Sequence, residues 1–341
     1  MAEHSLFLQD DFGSNIGVSG VPHRIRVALR DWDWLTPLVM GEVDLSPLNK
    51  LGYRVEIDRV SSLRGLQTAE EYDGGEVSLS RYLAAVAGEV SEMHALPHVL
   101  MQAFRHRCVL VSAASEATKP ADLAGGKIGI TGWQDSGNVW TRAALSDGGL
   151  RIPDAQWFAG RLTSEHPELD RLGTYGAPGR IEAIFGQPMV DRLIGGELDA
   201  ILTPFMPQGF YSRESQLRPL FPDVRAAEKQ WVAERGYVPG HHILAFKRYV
   251  PVEAQIVVSG LLEESKRQWQ AKRQKLAETT AWTAVEFWDE AQSLPRNWDQ
   301  QGLKNHELMF NEFVSESLNQ GLIDKRVPIE ELFPIDLPDA R

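Results

Sequence analysis

The sequence predicts an α/β protein of two lobes, joined by two crossovers, with a central cleft between them. Three observations predict it. Apolar runs of strand length alternate with helical patterns over residues 25–112 and again over 127–202, as in parallel or mixed sheets covered by helices. Residues 119–142 read as a turn, a short buried strand, a polar loop and the start of a helix. Residues 241–247 form a further strand after Pro239-Gly240, and a mainly helical tail follows, as expected of a chain that returns to its first lobe. A length of 341 residues suits two domains with a sizeable core. The expected division is 21–113 with 240–341 for the first lobe, 119–236 for the second, and 1–20 as an N-terminal extension.

In order, the first lobe is expected to hold strands at 25–29, 53–60 and 74–79 and helices at 36–43, 65–72 and 80–90. Residues 108–112 are read as its last strand, with the crossover at 114–119. In the second lobe Gly125-Gly126 allow a sharp turn, because glycine tolerates positive φ. Ile128 and Ile130 make a covered strand, and Asp135 and Ser136 are expected to cap the helix that follows. A helix N-terminus at the carboxyl end of a strand is an anion site. Further strands are expected near 155–158 and at 198–202, with a helix at 189–194. In the tail, Leu261, Leu262, Ser265 and Trp269 lie at helical spacing, and Trp282, Val285 and Trp288 continue a stripe read as core. Leu308, Phe310, Phe313 and Leu318 suggest a last amphipathic helix closing the first lobe.

Several functions are excluded or disfavoured. A formal charge of −12 argues against nucleic acid, which needs clustered Lys and Arg. No run of about 18 apolar residues suggests a membrane span, and residues 1–21 show no pattern of an export signal, so a cytoplasmic protein is expected. The single cysteine, Cys108, rules out an internal disulfide and reads as a small core residue. There is no Gly-x-Ser-x-Gly elbow and no P-loop. The cluster Gly125-Gly126-Lys127-Ile128-Gly129 precedes a strand instead of opening a helix, which speaks against dinucleotide binding. His94 and His98 are four apart, but Pro97 breaks the helix that would align them on a metal; His241 and His242, in a strand, face opposite sides. No metal site is expected.

Several blocks carry a resemblance. Residues 76–82 (Glu-Val-Ser-Leu-Ser-Arg-Tyr), Phe104-Arg105-His106-Arg107, residues 119–130, Val139-Trp140-Thr141-Arg142, and the tail from Gln320-Gly321-Leu322 through Glu330-Glu331-Leu332-Phe333 resemble the 4,5-dihydroxyphthalate decarboxylase family. Their order and spacing hold across nearly the full length. The resemblance implies a type 2 periplasmic-binding-protein-like fold without export, and cofactor-independent loss of carbon dioxide from a hydroxylated aromatic acid. The expected partner is therefore a small aromatic carboxylate, with no nucleic acid, membrane or cofactor; a homo-oligomer is left open. Menaquinone-pathway enzymes on the same fold are similar over fewer of these motifs, so a dehydratase-type lyase stays open, as does a non-catalytic solute-binding or sensor protein.

Two departures bear on the substrate. Asp31-Trp32-Asp33-Trp34-Leu35 stands where the family has Asp-Tyr-Asp-Arg-Thr, and Pro204-Phe205-Met206-Pro207 where Pro-Arg-x-Pro is expected. An arginine fork pairs bidentately with carboxylate; Trp34 and Phe205 cannot. The expected ligand thus carries fewer negative charges than phthalate, or is larger and more apolar. Decarboxylation needs a proton delivered to the ring carbon, and histidine is the natural acid near neutral pH. His106, and His242, which matches a family histidine, are the candidates. Arg105, Arg142 and Arg180 are candidates for the carboxylate, although a surface ion pair is the commoner fate of an arginine. Ser78, Ser80 and Ser136 sit where hydroxyls and free backbone N–H groups meet a ligand, and Trp32, Trp34, Trp133 and Trp140 are candidates for an aromatic wall. Asp31 and Asp33 complete the candidate set.

Overall fold

The computed structural model describes residues 5–6, 22–63, 69–176 and 181–338. In chain order the strands are β1 (Ser5–Leu6), β2 (His23–Leu29), β3 (Tyr53–Arg59), β4 (Gly74–Ser78), β5 (Met93–Gln102), β6 (Val109–Ser112), β7 (Lys127–Ile130), β8 (Gln156–Ala159), β9 (Ile181–Ala183), β10 (Ala200–Leu202), β11 (Leu217–Pro219) and β12 (Gly240–Lys247). The helices are α1 (Thr36–Val39), α2 (Ser46–Lys50), α3 (Leu79–Ala87), α4 (Ser136–Asp147), α5 (Met189–Ile194), α6 (Val224–Arg235), α7 (Val252–Lys272), α8 (Thr283–Ser293), α9 (Leu303–Asn319) and α10 (Ile329–Leu332). Two mixed sheets result, ordered β1-β3-β2-β4-β12-β5 and β11-β6-β10-β7-β8-β9.

In the first sheet, β2 is parallel to β3 and β4, and β12 runs antiparallel between β4 and β5. Gly75 makes the β2–β4 contact possible: it holds φ +153, and a Cβ there would lie 2.3 Å from the Ala28 carbonyl oxygen. In the second sheet, β10, β7, β8 and β9 are mutually parallel, so the carboxyl end of β7 and the helix it leads into open toward the other sheet. The chain crosses between sheets twice, near residues 103–108 and again before β12. The two passages are tied together, since the Ala103 N–H donates to the Pro239 carbonyl at 3.0 Å.

Four readings change. Residues 109–112 belong to the second sheet, where β6 pairs antiparallel with β10 and β11, so the first crossing precedes them. Val109, Leu110 and Val111 are all buried, which suits a central strand of either sheet and does not choose between them. His94, Pro97 and His98, considered above as a helix broken by the proline, lie in β5; a proline is tolerated there because β5 is an edge strand. The expected helix at 65–72 falls partly on residues 64–68, outside the described residues, and 69–72 are not helical. Trp282, Val285 and Trp288 do not pack: α8 buries no residue, and Trp282 is 80% exposed.

The tail closes more than the first lobe. Phe313 of α9 packs on Trp140 of α4, with ring centroids 5.2 Å apart, and Trp133 Nε1 donates to the Gln320 carbonyl at 3.1 Å. One continuous buried cluster therefore runs from Val77 and Ile243 of the first sheet and Leu79 of α3 to Ile128, Ile130 and Trp157 of the second sheet. Among the described residues no helix is long and apolar enough to cross a membrane.

Candidate active site

A cavity of about 530 Å³ lies between the sheets, where the N-termini of α3 and α4 converge. Helix α3 starts directly after β4, and α4 follows β7 across the short loop 131–135, so both present N-terminal N–H groups to it. Ser78 precedes α3 and Ser136 opens α4. Their hydroxyls are 2.8 Å apart, and Ser80 Oγ is 3.0 Å from each. The Ser80 N–H donates to Ser136 Oγ at 3.0 Å, and its hydroxyl to the Gln134 carbonyl at 2.5 Å. This trio joins the two lobes at the floor of the cavity; Ser78 and Ser136 face it. Asp135 has the extended backbone of an N-cap, but its carboxylate does not cap. It accepts from Arg171 at 2.8 and 2.9 Å and from Arg81 at 3.3 Å, a bridge across the cavity wall.

The cavity is cationic in a chain of net charge −12. Arg30, Arg81, Arg105, Arg107, Arg161 and Arg171 line it, against one lining carboxylate, Asp135. Arg105 is the most unusual of these. It is 4% exposed, and among the described residues its Nη1 has only Cys108 Sγ at 3.7 Å and its Nε has no hydrogen-bond partner. The guanidinium lies over the first turn of α4; a Cβ on Gly137 would come within 3.2 Å of Nε. Burial pushes its pKa down, the mark of a charge removed from water without a counter-charge. A positive group and a helix N-terminus facing one cavity make an anion seat.

His242 lines the same cavity. Antiparallel pairing sets it across from Ser78, with Glu76 two residues earlier on the same face of β4. His242 Nδ1 is 2.5 Å from Glu76 Oε1. Glu76 is fully buried, and its Oε2 accepts from Trp32 Nε1 at 2.7 Å and from the Arg30 N–H at 3.0 Å. Trp32 lines the cavity, with the Arg30 guanidinium 5.5 Å from its ring centroid. Phe205 forms part of the opposite wall.

Other candidates go elsewhere. His106 is turned into an aromatic nest, its ring centroid 5.2 Å from Phe221 and 5.6 Å from Trp231, and does not line the cavity; burial pushes it down to about 4. Arg142 points away from the cavity to the tail. Its Nε donates to Gln320 Oε1 at 2.7 Å and Nη2 to the Trp133 carbonyl at 2.8 Å, and burial lowers it to about 9. Trp140 and Trp133 are core, and Trp140 Nε1 donates to the Gly240 carbonyl. Trp34 is buried in the first lobe, so it does not stand in the cavity in an arginine's stead. Asp31 is exposed and paired with Arg59; Asp33 accepts from the Trp34 N–H outside the cavity. Arg180 lies outside the described residues.

Sequence reasoning passed over Glu76, Arg30, Arg81 and Arg171. Glu76 carried a signal, being a lone carboxylate inside an otherwise uncharged strand. Among the described residues no three His, Cys, Asp or Glu side chains gather into a metal-holding group.

No protein-family model matches the chain. It is 25% identical over 319 residues to 4,5-dihydroxyphthalate decarboxylase of Comamonas testosteroni, covering 91% of this chain and 96% of that one. With the enzyme of the same name from Pseudomonas putida it is 28% identical over 218 residues, 62% of this chain and 83% of the relative. Among solved structures, the periplasmic aliphatic sulphonate binding protein SsuA of Escherichia coli superposes with a TM-score of 0.54 at 14% identity, over 92% of both chains. An ABC transporter protein of Parabacteroides distasonis does so at 0.52 and 8%, over 94% of this chain and all of that one. These likenesses establish a two-lobed, type 2 periplasmic-binding-protein-like fold.

Proposed function

We propose that the chain is a cytoplasmic, cofactor-independent carboxy-lyase acting on a hydroxylated aromatic carboxylic acid. The observation that carries this reading is the presence, in one cavity, of a buried arginine that has no carboxylate partner among the described residues and a histidine hydrogen-bonded to a buried carboxylate. The similarity to decarboxylases over most of the chain supports it. Arg105 and the first turn of α4 seat the carboxylate, Trp32 and Phe205 flank the ring, and His242 faces it as proton donor.

The chemistry needs no more than that. Protonation of the ring carbon bearing the carboxylate leaves a cation that an ortho or para hydroxyl stabilises. The carbon–carboxylate bond then breaks, its electron pair restores the ring, and carbon dioxide leaves. One proton is consumed, and water returns it to the histidine. Positioning and one general acid supply the rate.

The expectation of a less charged ligand rested on Trp34 and Phe205. With Trp34 in the core and Arg30, Arg105 and Arg107 on the wall, the cavity itself argues for no such loss of charge. Incubating the protein with a panel of hydroxylated benzoates and phthalates, and following carbon dioxide and the decarboxylated product by mass spectrometry, tests the reading. Turnover that is lost in His242→Asn while binding stays within about threefold supports it. Tight binding across the panel without turnover makes the protein a solute binder or sensor, and a product that has lost water instead of carbon dioxide makes it a dehydratase.

A further inference from the structure

We infer that Glu76 is a positioning residue for His242: it holds Nδ1 as the protonated ring nitrogen, so that Nε2 is the nitrogen turned to the cavity. The inference rests on the reading of His242 as proton donor. It follows from which atoms are able to donate. The indole N–H of Trp32 and the backbone N–H of Arg30 are donors only, and both end on Glu76 Oε2. That oxygen is therefore an acceptor and carries no proton, which leaves Oε1 to the ring. His242 Nδ1 lies 2.5 Å from it, with the His242 side chain 14% exposed on the cavity side and Glu76 fully buried. A buried carboxylate is tolerated only when its lone pairs are occupied, and here two donors from the β2–α1 connection and one from β12 occupy them.

The sheet fixes the arrangement. Glu76 and Ser78 share a face of β4, and His242 stands across from Ser78, so the carboxylate and the ring are diagonal neighbours on a rigid ladder. In the proposed step the ring enters as the imidazolium, with a hydrogen on each nitrogen; Nε2 gives its hydrogen to the ring carbon, the carbon–carboxylate bond pair passes to the ring, carbon dioxide departs, and Nε2 takes a proton back from solvent. Through all of it Nδ1–H remains on Glu76, so one nitrogen does the transfer and the other keeps its aim. An orienting carboxylate of this kind sets the tautomer without touching the substrate.

Glu76→Gln tests this without reference to activity. The amide keeps the shape, but its oxygen must accept from Trp32 and Arg30, which turns its NH₂ toward Nδ1. The ring must then accept at Nδ1 and carry its hydrogen on Nε2. Nitrogen-15 NMR of the free protein, at a pH where the ring holds a single hydrogen and with the His242 signal assigned by its loss in His242→Asn, is expected to show Nδ1–H in the parent and Nε2–H in the variant. On a turned-over substrate, kcat falls by about 10²–10⁴-fold with KM within about threefold. Glu76→Asp, which keeps the charge one methylene short, recovers part of that loss, and it carries the test should the glutamine variant not fold. An unchanged tautomer together with parental kcat in Glu76→Gln overturns the role of Glu76 and leaves the decarboxylase reading standing. Parental kcat in His242→Asn, or no turnover on any acid, overturns that reading instead, and the NMR result still decides whether Glu76 orients the ring.

Discussion

Replacing Arg105 with methionine should stabilise the ligand-free protein and abolish its affinity for carboxylates. Arg105 is 4% exposed, and among the described residues its side chain hydrogen-bonds to a sulfur at 3.7 Å and meets no carboxylate, so the free protein bears the cost of burying an unpaired charge. Exchanging a buried ionic group for an apolar one of similar volume commonly gains about 1–4 kcal/mol. At about 2.1 cal/mol/K per residue, the 341 residues unfold with an entropy of about 0.7 kcal/mol/K. Each kcal/mol thus moves Tm by about 1.4 °C, and the expected rise is about 1–6 °C. On the ligand side, two charge-assisted hydrogen bonds from the fork are worth about 1.5–3 kcal/mol each. Their loss weakens binding by about 10²–10⁴-fold. Calorimetric melting of parent and variant, each with and without a bound aromatic acid, reads both effects. A variant that melts lower and keeps the ligand's stabilisation would refute the reasoning, because the guanidinium would then be a structural strut.

The opposite pattern is expected at Arg142. Its removal leaves Gln320 Oε1 and the Trp133 carbonyl without a donor. Arg142→Ala should therefore cost about 3–5 kcal/mol in denaturant melts, with ligand affinity unchanged in the folded fraction. His106 governs a pH effect. Burial holds it near 4 in the folded chain against about 6.5 when unfolded. The unfolded state binds more protons between those values, so stability is full above about 6.5 and is lost as pH falls toward 4. At pH 5 the loss is about 2 kcal/mol. Urea titrations at pH 7.5 and pH 5 should show that drop shrinking in His106→Gln; an equal drop would mean the ring is not the group that titrates.

What could be read from sequence was what is local. Gly125-Gly126, the alternation of Ile128 with Ile130, and the polar loop before α4 specify a strand–turn–helix unit through short-range chemistry, and the unit forms there. The pair His241-His242 was legible for the same reason: period two sends one ring into the core, where burial pushes it well below 6.5, and the other into the cavity. The arginines were not legible. Arg105 stands in Phe104-Arg105-His106-Arg107 and Arg142 in Val139-Trp140-Thr141-Arg142, and nothing in either block says which will meet Gln320 at the end of α9 and which will face the cavity. The sheet membership of β6 escaped because a strand buried on both faces has no period to orient it. Glu76 escaped because a carboxylate in a strand looks like a solvated edge until its three donors, from two distant segments, are in place.

The same long-range contacts bear on how the cleft works. Its two walls share one apolar cluster beneath the serine trio, and α9 ties the tail to α4 from behind. Parting the lobes would expose that cluster and break the trio and the Gln320 bonds to Trp133, Val139 and Arg142, so these contacts oppose separation of the seat at Arg105 from the ring at His242. A protein that only captures and releases a solute gains from a hinge. One that must place a carboxylate and a proton donor on opposite sides of the same ring carbon gains from having none, because misplacement by about an ångström can cost 10²-fold in rate. Glycines inserted to loosen the passages at 103–108 should therefore lower kcat far more than they lower affinity if the site is catalytic, and should lower affinity alone if it only binds.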